Sequence, residues 1–310
     1  MARLFERWFQ PRAVQKKSGF LDRIRSYLKD HQISTLPVIM GRLMELAKDP
    51  NASARDYAQV CELDQSSCMR ILRLANSVSF GPMPGQVIRT VKDSIVRIGF
   101  DKTREVLHTS VVASLFRSRE EIADYTTSDL WLNSAAVALG NRIIYGLKRE
   151  CQSPSIDPYL AGLLRNIGIP VLHLCLYDFG FKDAILMRYQ NQSVLIEEEV
   201  PILGVDHASI GQELAEQWKC AEALVTVIGS HHAPALHVKD PAIETLVHVT
   251  RTSEWLAHEL GMGYRDFSDK HAPFYQASRN KIQLFDIDYA RIKVQMTAEI
   301  NQMRELMWFR

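Results

Sequence analysis

Apolar residues along this chain recur every three to four positions almost throughout, the period of an amphipathic helix. Strand-like alternation is rare, and Ser193-Val194-Leu195-Ile196 is too short to found a sheet. The pattern predicts an all-α fold. A first helix is expected from about Thr35, with Pro37 in its opening turn, where a missing amide costs nothing. It would place Ile39, Leu43, Leu46 and Ala47 on one side. Ser53, with Asp56 three positions on, predicts another helix start, and Asp64 a third, running through Met69, Leu72 and Leu74 to Asn76. Thr90 and Asp93 stand in capping-box spacing ahead of Ile95 and Ile98, with Gly99 placed to end that helix. A long striped helix follows, from Lys102 through Val106 and Val111 to Leu115.

The second half repeats this texture. Helices are expected over Leu130–Leu147, Pro158–Leu164, Pro170–Tyr177, Phe181–Gln190, Asp206–Trp218, Glu222–His231 and Pro241–Leu260. Ile210, Leu214 and Trp218 lie four residues apart and form a core stripe. Residues 261–287 are rich in Gly, Asp, Ser and aromatics and read as a loop or connector. The last helix, about Asp288–Trp308, carries Ile292, Met296, Ile300, Met303 and Met307. That stripe suits either the second lobe or another subunit. The expected organisation is a basic N-terminal arm (1–19), a first helical lobe (20–125), a second lobe (126–260), then a connector and C-terminal helix (261–310).

Composition changes this picture little. The chain has 310 residues, 46% of them hydrophobic, so it can bury one large core or two ordinary ones. With 37 basic and 36 acidic side chains, bulk charge does not select a polyanionic partner. Residues 1–30 are locally basic, and Leu4 and Trp8 lie one helical turn apart. Such a segment suits docking on the body, on a partner or on an anionic surface. Charges interrupt the apolar run before it reaches signal-peptide length, and no window approaches a membrane span. Cys61, Cys68, Cys151, Cys175 and Cys220 form no CxxC pair and read as small hydrophobes in a reducing cytoplasm.

Two short helices around Glu62–Asp64 give a helix-turn-helix outline. Gln65, Ser66, Ser67, Arg70, Arg73 and Asn76 would be its polar face, with only two positive charges, so packing is the expected role and nucleic acid an unlikely partner. No GxSxG elbow, P-loop or dinucleotide fingerprint is present. Asn76 and Ser77, before Gly81-Pro82, are placed to tie backbone groups of a turn.

Other segments carry a resemblance. Leu36-Pro37, Asp49-Pro50, Arg73-Leu74-Ala75-Asn76-Ser77-Val78-Ser79-Phe80-Gly81 and Ser94-Ile95-Val96-Arg97-Ile98-Gly99 stand in order. Leu130-Trp131, Ala161–Gly168, Gly204-Val205-Asp206-His207-Ala208, Gly211, Leu214-Ala215, Trp218 and His231-His232-Ala233-Pro234 follow. This series resembles the HDOD family, the HD-related output domain of bacterial signalling proteins, over about residues 20–240. The resemblance implies two packed helical lobes, the second like an HD phosphohydrolase bundle, generally without its metal site. It also implies a regulatory role rather than an enzymatic one, and a signalling protein as partner.

An HD hydrolase needs imidazoles and carboxylates converging on a divalent ion. Following that pattern, Asn133 stands where the first His belongs, Arg165-Asn166 where His-Asp belongs, and Thr250-Arg251 where the last Asp belongs. A guanidinium donates no lone pair and repels a cation. No catalytic residue, metal or cofactor is therefore expected. Asp206, His207, His231, His232, His237 and His248 remain as polar candidates. Asp206 reads as a helix cap, and His231-His232 as the end of a helix, where neighbours point about 100° apart and would not easily face one ion. Arg165, Asn166, His207, His231 and His232 are the expected lining of any residual ligand pocket, with an anion or nucleotide as its ligand class. A residual nucleotide phosphohydrolase and a nucleic-acid-binding regulator are the rival readings, and a homo-oligomer is compatible with the pattern.

Overall fold

Where a capping side chain precedes an apolar stripe, a helix begins. The computed structural model describes residues 22–24, 26, 38–46, 49, 51–61, 65–77, 87–115, 127–148, 157–172, 199–200, 204–264 and 269–305. Within them lie α1 (Val38–Leu46), α2 (Ala54–Cys61), α3 (Gln65–Ala75), α4 (Val91–Ile98), α5 (Phe100–Leu115) and α6 (Thr127–Leu147). Then come α7 (Pro158–Leu164), α8 (His207–Gln217), α9 (Glu222–Ser230), α10 (Pro241–Glu259), α11 (Ala272–Lys281) and α12 (Asp286–Glu305). No strand occurs among the described residues. The fold is all-α, as the periodicity requires. The N-terminal arm, Thr35–Pro37, Asp64 as a cap, Phe181–Gln190, Met307 and most of Pro170–Tyr177 lie outside the described residues.

The caps act as their sequences suggest. Thr90 Oγ1 accepts from the Asp93 amide at 3.1 Å and donates to Asp93 Oδ2 at 2.6 Å, which fixes the start of α4. Gly99 ends it with φ +85° while its N–H returns to Ile95 O. At α2, the Ser53 amide and hydroxyl both donate to Asp56 Oδ2. Asn76 bridges the end of α3 to a distant segment. Its Nδ2 donates to Leu72 O and Ile88 O, and its Oδ1 accepts from the Ile88 amide at 2.9 Å.

A continuous apolar core joins all of these helices except α11, whose Tyr275 forms a separate small cluster with Trp255 and Phe274. In the first half α5 packs against α1, α2, α3 and α4. In the second, α6 lies between α7 and α10 and also receives α12. The α12 stripe settles its own destination: Ile292, Met296, Ile300 and Met303 are at most 4% exposed, and α12 packs on α6. Burying four such side chains contributes roughly 6–12 kcal/mol of gross transfer free energy, enough to seat the helix in cis. Charges reinforce the seat. Arg142 on α6 reaches Glu105 of α5 at 2.7 Å and Glu299 of α12 at 2.5 Å, and Lys102 joins both carboxylates. Arg142 and Lys102 hold the Glu299 carboxyl below its ordinary pKa, although burial acts the other way.

One expectation needs correction. Residues 261–287 are not a loop throughout, because α11 spans Ala272–Lys281. Pro273 sits in its first turn, and Tyr275 is buried and stacks on Trp255 of α10 with ring centroids 5.5 Å apart. The aromatic content that suggested a loop is this helix's packing face. The α3 helix packs, as its weakly charged polar face suggested. Ser67 is fully buried, Arg70 donates to Ser110 of α5 at 3.2 Å, and Asn76 is committed to backbone. No helix among the described residues is long and apolar enough to cross a membrane.

Candidate functional site

Asp157 starts α7 by accepting from the Leu160 amide at 3.0 Å, with Pro158 in the first turn. The helix ends after Leu164, and Arg165–Ile167 form a turn. Two glycines set where that turn goes. A Cβ on Gly162 would meet the Ala138 backbone at 2.8 Å, so α7 lies directly on α6. A Cβ on Gly168 would sit 1.9 Å from His207 O, so the turn abuts the start of α8. Close approach without side chains brings Arg165, Asn166 and His207 into one place.

Arg165 is fully buried. Its Nε donates to Glu254 Oε1 of α10 at 2.5 Å, its Nη1 to Gly162 O at 3.1 Å, and its Nη2 to Asn133 Oδ1 of α6. Asn133 in turn donates to Met262 O at 3.3 Å. Both members of the ion pair are essentially inaccessible, at 1% and 0% side-chain exposure. Arg251 is engaged elsewhere. It donates to the carbonyls of His231, Ser230 and Ala233 at 2.9, 2.7 and 2.6 Å, and its guanidinium lies 4.5 Å from the Phe274 ring centre. It thus supplies donors to carbonyls that the end of α9 leaves without helical partners.

Three imidazoles complete the cluster. His207 opens α8, whose cap is Asp206, accepting from the Ser209 amide at 2.7 Å. Glu199 Oε2 accepts from both the His207 amide and its Nδ1, each at 2.8 Å. A carboxylate there requires Nδ1 to carry the hydrogen, which in the neutral ring leaves the lone pair on Nε2. His231 Nδ1 donates to Ile228 O at 2.8 Å, and its Nε2 lies 3.1 Å from Asn166 Oδ1 and 4.0 Å from Glu254 Oε1. His232 Nδ1 lies 3.4 Å from the Tyr275 hydroxyl. Ring centres of His231 and His232 are 4.1 Å apart, and His207 is 5.5 and 5.3 Å from them.

The surroundings disfavour the charged form of two of these rings, His231 and His232. Burial pushes the His231 pKa well below its ordinary value, and His207 and Arg165 add to the effect. For His232 burial again leads, followed by His231 and His207. Neutral imidazole is the form that ligates metals. One ring nitrogen from each of His207, His231 and His232 falls within a group spanning no more than 4.8 Å. The helical 100° rule does not keep His231 and His232 apart, because both lie in the turn after α9 and their rings swing to one side.

All five sequence-selected residues, Arg165, Asn166, His207, His231 and His232, therefore meet in one cluster, buried except for the partly exposed His232. His237 is exposed, and His248 pairs instead with Ser278 at 3.1 Å. Sequence reasoning missed Glu254 and Glu199, which partner Arg165 and His207. The ligand set that the HD pattern requires does not fit here. Its positions carry Asn133, Arg165, Asn166 and Arg251, of which Arg165 and Arg251 donate to protein acceptors and neither can ligate.

The HDOD domain profile matches residues 33–234. Over 265 residues the chain is 22% identical to an uncharacterised protein of Treponema pallidum, covering 83% of this chain and 47% of that one. The chain thus spans about half the length of the curated relative it matches. An HDOD domain protein of unknown function from Geobacter sulfurreducens superposes with a TM-score of 0.66 at 21% identity, covering 87% of this chain and 91% of that one. A Shewanella amazonensis protein with a provisional phosphohydrolase name gives 0.64 at 19% identity, covering 94% and 98%. At such identities the structural likenesses show the fold.

Proposed function

Because the chain belongs to the HDOD domain family, we propose that it works as a non-catalytic signalling module that binds a protein partner or a small ligand. It is a degenerate HD-type domain. The observation that carries the reading is the buried Arg165–Glu254 pair, standing where an HD hydrolase would hold its metal. A guanidinium held by Glu254, Asn133 and Gly162 O makes that position a fixed point of the core.

The ligand site we propose is the cluster of Arg165, Asn166, His207, His231 and His232. A nucleotide or other anion that reached Arg165 would have to displace Glu254, so binding there would loosen α10 from the turn after α7. The Arg142–Glu105–Glu299 network would carry such a change to α5 and α12. A signalling protein would then read the altered surface.

Two measurements test this. Cyclic and linear nucleotides are titrated against the wild type and the double variant Arg165→Met/Glu254→Leu, which removes both charges together. Loss of binding in the double variant supports the anion site, and unchanged binding refutes it. Turnover of phosphoester substrates by metal-supplemented wild type would refute the non-catalytic reading.

A further inference from the structure

The three imidazoles ask for an explanation that the Arg165–Glu254 pair does not supply. They come from two separate places in the chain, the first residue of α8 and the turn after α9, yet their ring nitrogens gather within 4.8 Å. Glu199 and Ile228 O hold the Nδ1 hydrogens of His207 and His231, an outer shell of the kind that orients metal-ligating histidines. His232 Nε2 is buried and has no hydrogen-bond partner among the described residues. His231 Nε2 and Asn166 Oδ1 lie 3.1 Å apart with an acceptor on each side, because the His231 hydrogen is already on Nδ1. Reversal of the amide relieves that clash, and so does a cation.

We propose that His207, His231 and His232 form a site for one divalent ion of the imidazole-preferring class, zinc or cobalt, with ligands distinct from the degenerate HD set. Charge at the cluster permits it. Glu254 compensates Arg165 at 2.5 Å, Arg251 is turned to the carbonyls around Ser230, and Glu199 adds a carboxylate behind His207. Three imidazoles leave a fourth position for water or Asn166 Oδ1. Metal–nitrogen bonds of about 2.0–2.1 Å in a tetrahedron place ligand nitrogens roughly 3.4 Å apart, so the widest pair must close by roughly 1.4 Å. Small side-chain rotations of rings in a turn and at a helix start cover that distance. The bound ion would tie α8 to the turn after α9, and the class of ligand sensed would be the ion itself.

The inference rests on the same cluster as the ligand reading but is measured separately, since a chain that takes up no ion can still bind nucleotide or partner. The full chain is stripped with a chelator and titrated with Co(II), following the visible d–d absorption, and then Zn(II) is added in competition. The expected result is one saturable equivalent, displaced by zinc, with a higher melting temperature in the loaded form. His207→Gln and His232→Gln should each weaken uptake at least tenfold, whereas His248→Gln should leave it unchanged. X-ray absorption on the zinc-loaded wild type needs no variant and should count three imidazoles. Absence of saturable uptake, a thiolate-to-cobalt charge-transfer band, or fewer than three imidazoles would overturn the proposal.

Discussion

Replacing Arg165 by methionine would leave Glu254 as an uncompensated carboxylate, 0% exposed, among packed helices. Breaking a buried pair from one side costs about 3–5 kcal/mol, because the remaining charge keeps its desolvation penalty and loses its partner. Here Arg165→Met also takes away the donors to Gly162 O and Asn133 Oδ1, which places the expected loss at the upper end. Against a typical domain stability of about 5–15 kcal/mol this is a third or more of the total. Glu254→Leu should cost a similar amount by stranding the guanidinium. The double variant removes both charges and should lie within about 2 kcal/mol of wild type, since apolar replacements of buried ion pairs are often neutral. Urea unfolding followed by far-UV circular dichroism reads these differences. With a slope of roughly 3 kcal/mol/M, each single change lowers the midpoint by about 1–1.7 M and the double change by much less. A coupling energy below about 0.5 kcal/mol, meaning that the single losses simply add, would show that Arg165 and Glu254 are not a mutually dependent pair and would remove the basis of the functional reading.

His108 on α5 is fully buried, and burial lowers its pKa to about 4, with the nearby Asp157 pulling the other way and Arg104 adding to the fall. A base whose folded pKa is depressed stabilises the fold fully above its unfolded value of 6.5, and that contribution is lost as pH falls towards 4. The loss amounts to about 3 kcal/mol. His108→Phe should flatten this acid limb in unfolding measurements between pH 7 and 4, and an unchanged slope would count against it. Gly168→Ala drives a Cβ into His207 O and should cost about 2 kcal/mol or more in urea unfolding, so a variant as stable as wild type would contradict the close approach. Asn76→Ala removes the acceptor for the Ile88 amide, and hydrogen exchange at that amide should accelerate at least tenfold. Unaltered protection would mean that the bridge contributes nothing to holding the 87–89 segment.

Much of the helical framework was readable because its instructions are short-range. Thr90 with Asp93, Asp157 with Leu160 and Asp206 with Ser209 each act over three residues, so the chemistry that starts a helix is written beside it. The five cluster residues were singled out from the chain by comparison with the HD pattern, and the fold brings them together. What they do there was less legible. Arg165 reads as an anion site when its sequence neighbours are considered alone, and only packing brings Glu254, 89 residues away, against its Nε. One signal was available: a cation inside the apolar run Ala161–Ile167 demands an acid somewhere in the fold. The α11 helix was missed because its aromatics resemble loop content until Trp255 is placed beside Tyr275.

Periodicity and capping chemistry by themselves determined that this protein is built from helices and where most of the legible ones start. Tertiary structure alone decided that Arg165 is locked to Glu254, that α12 packs in cis, and that two neighbouring histidines turn to meet a third. The reason is one of range. A cap or a stripe is satisfied within a few residues, whereas a buried charge or a lone pair is satisfied only by whatever the completed fold places next to it.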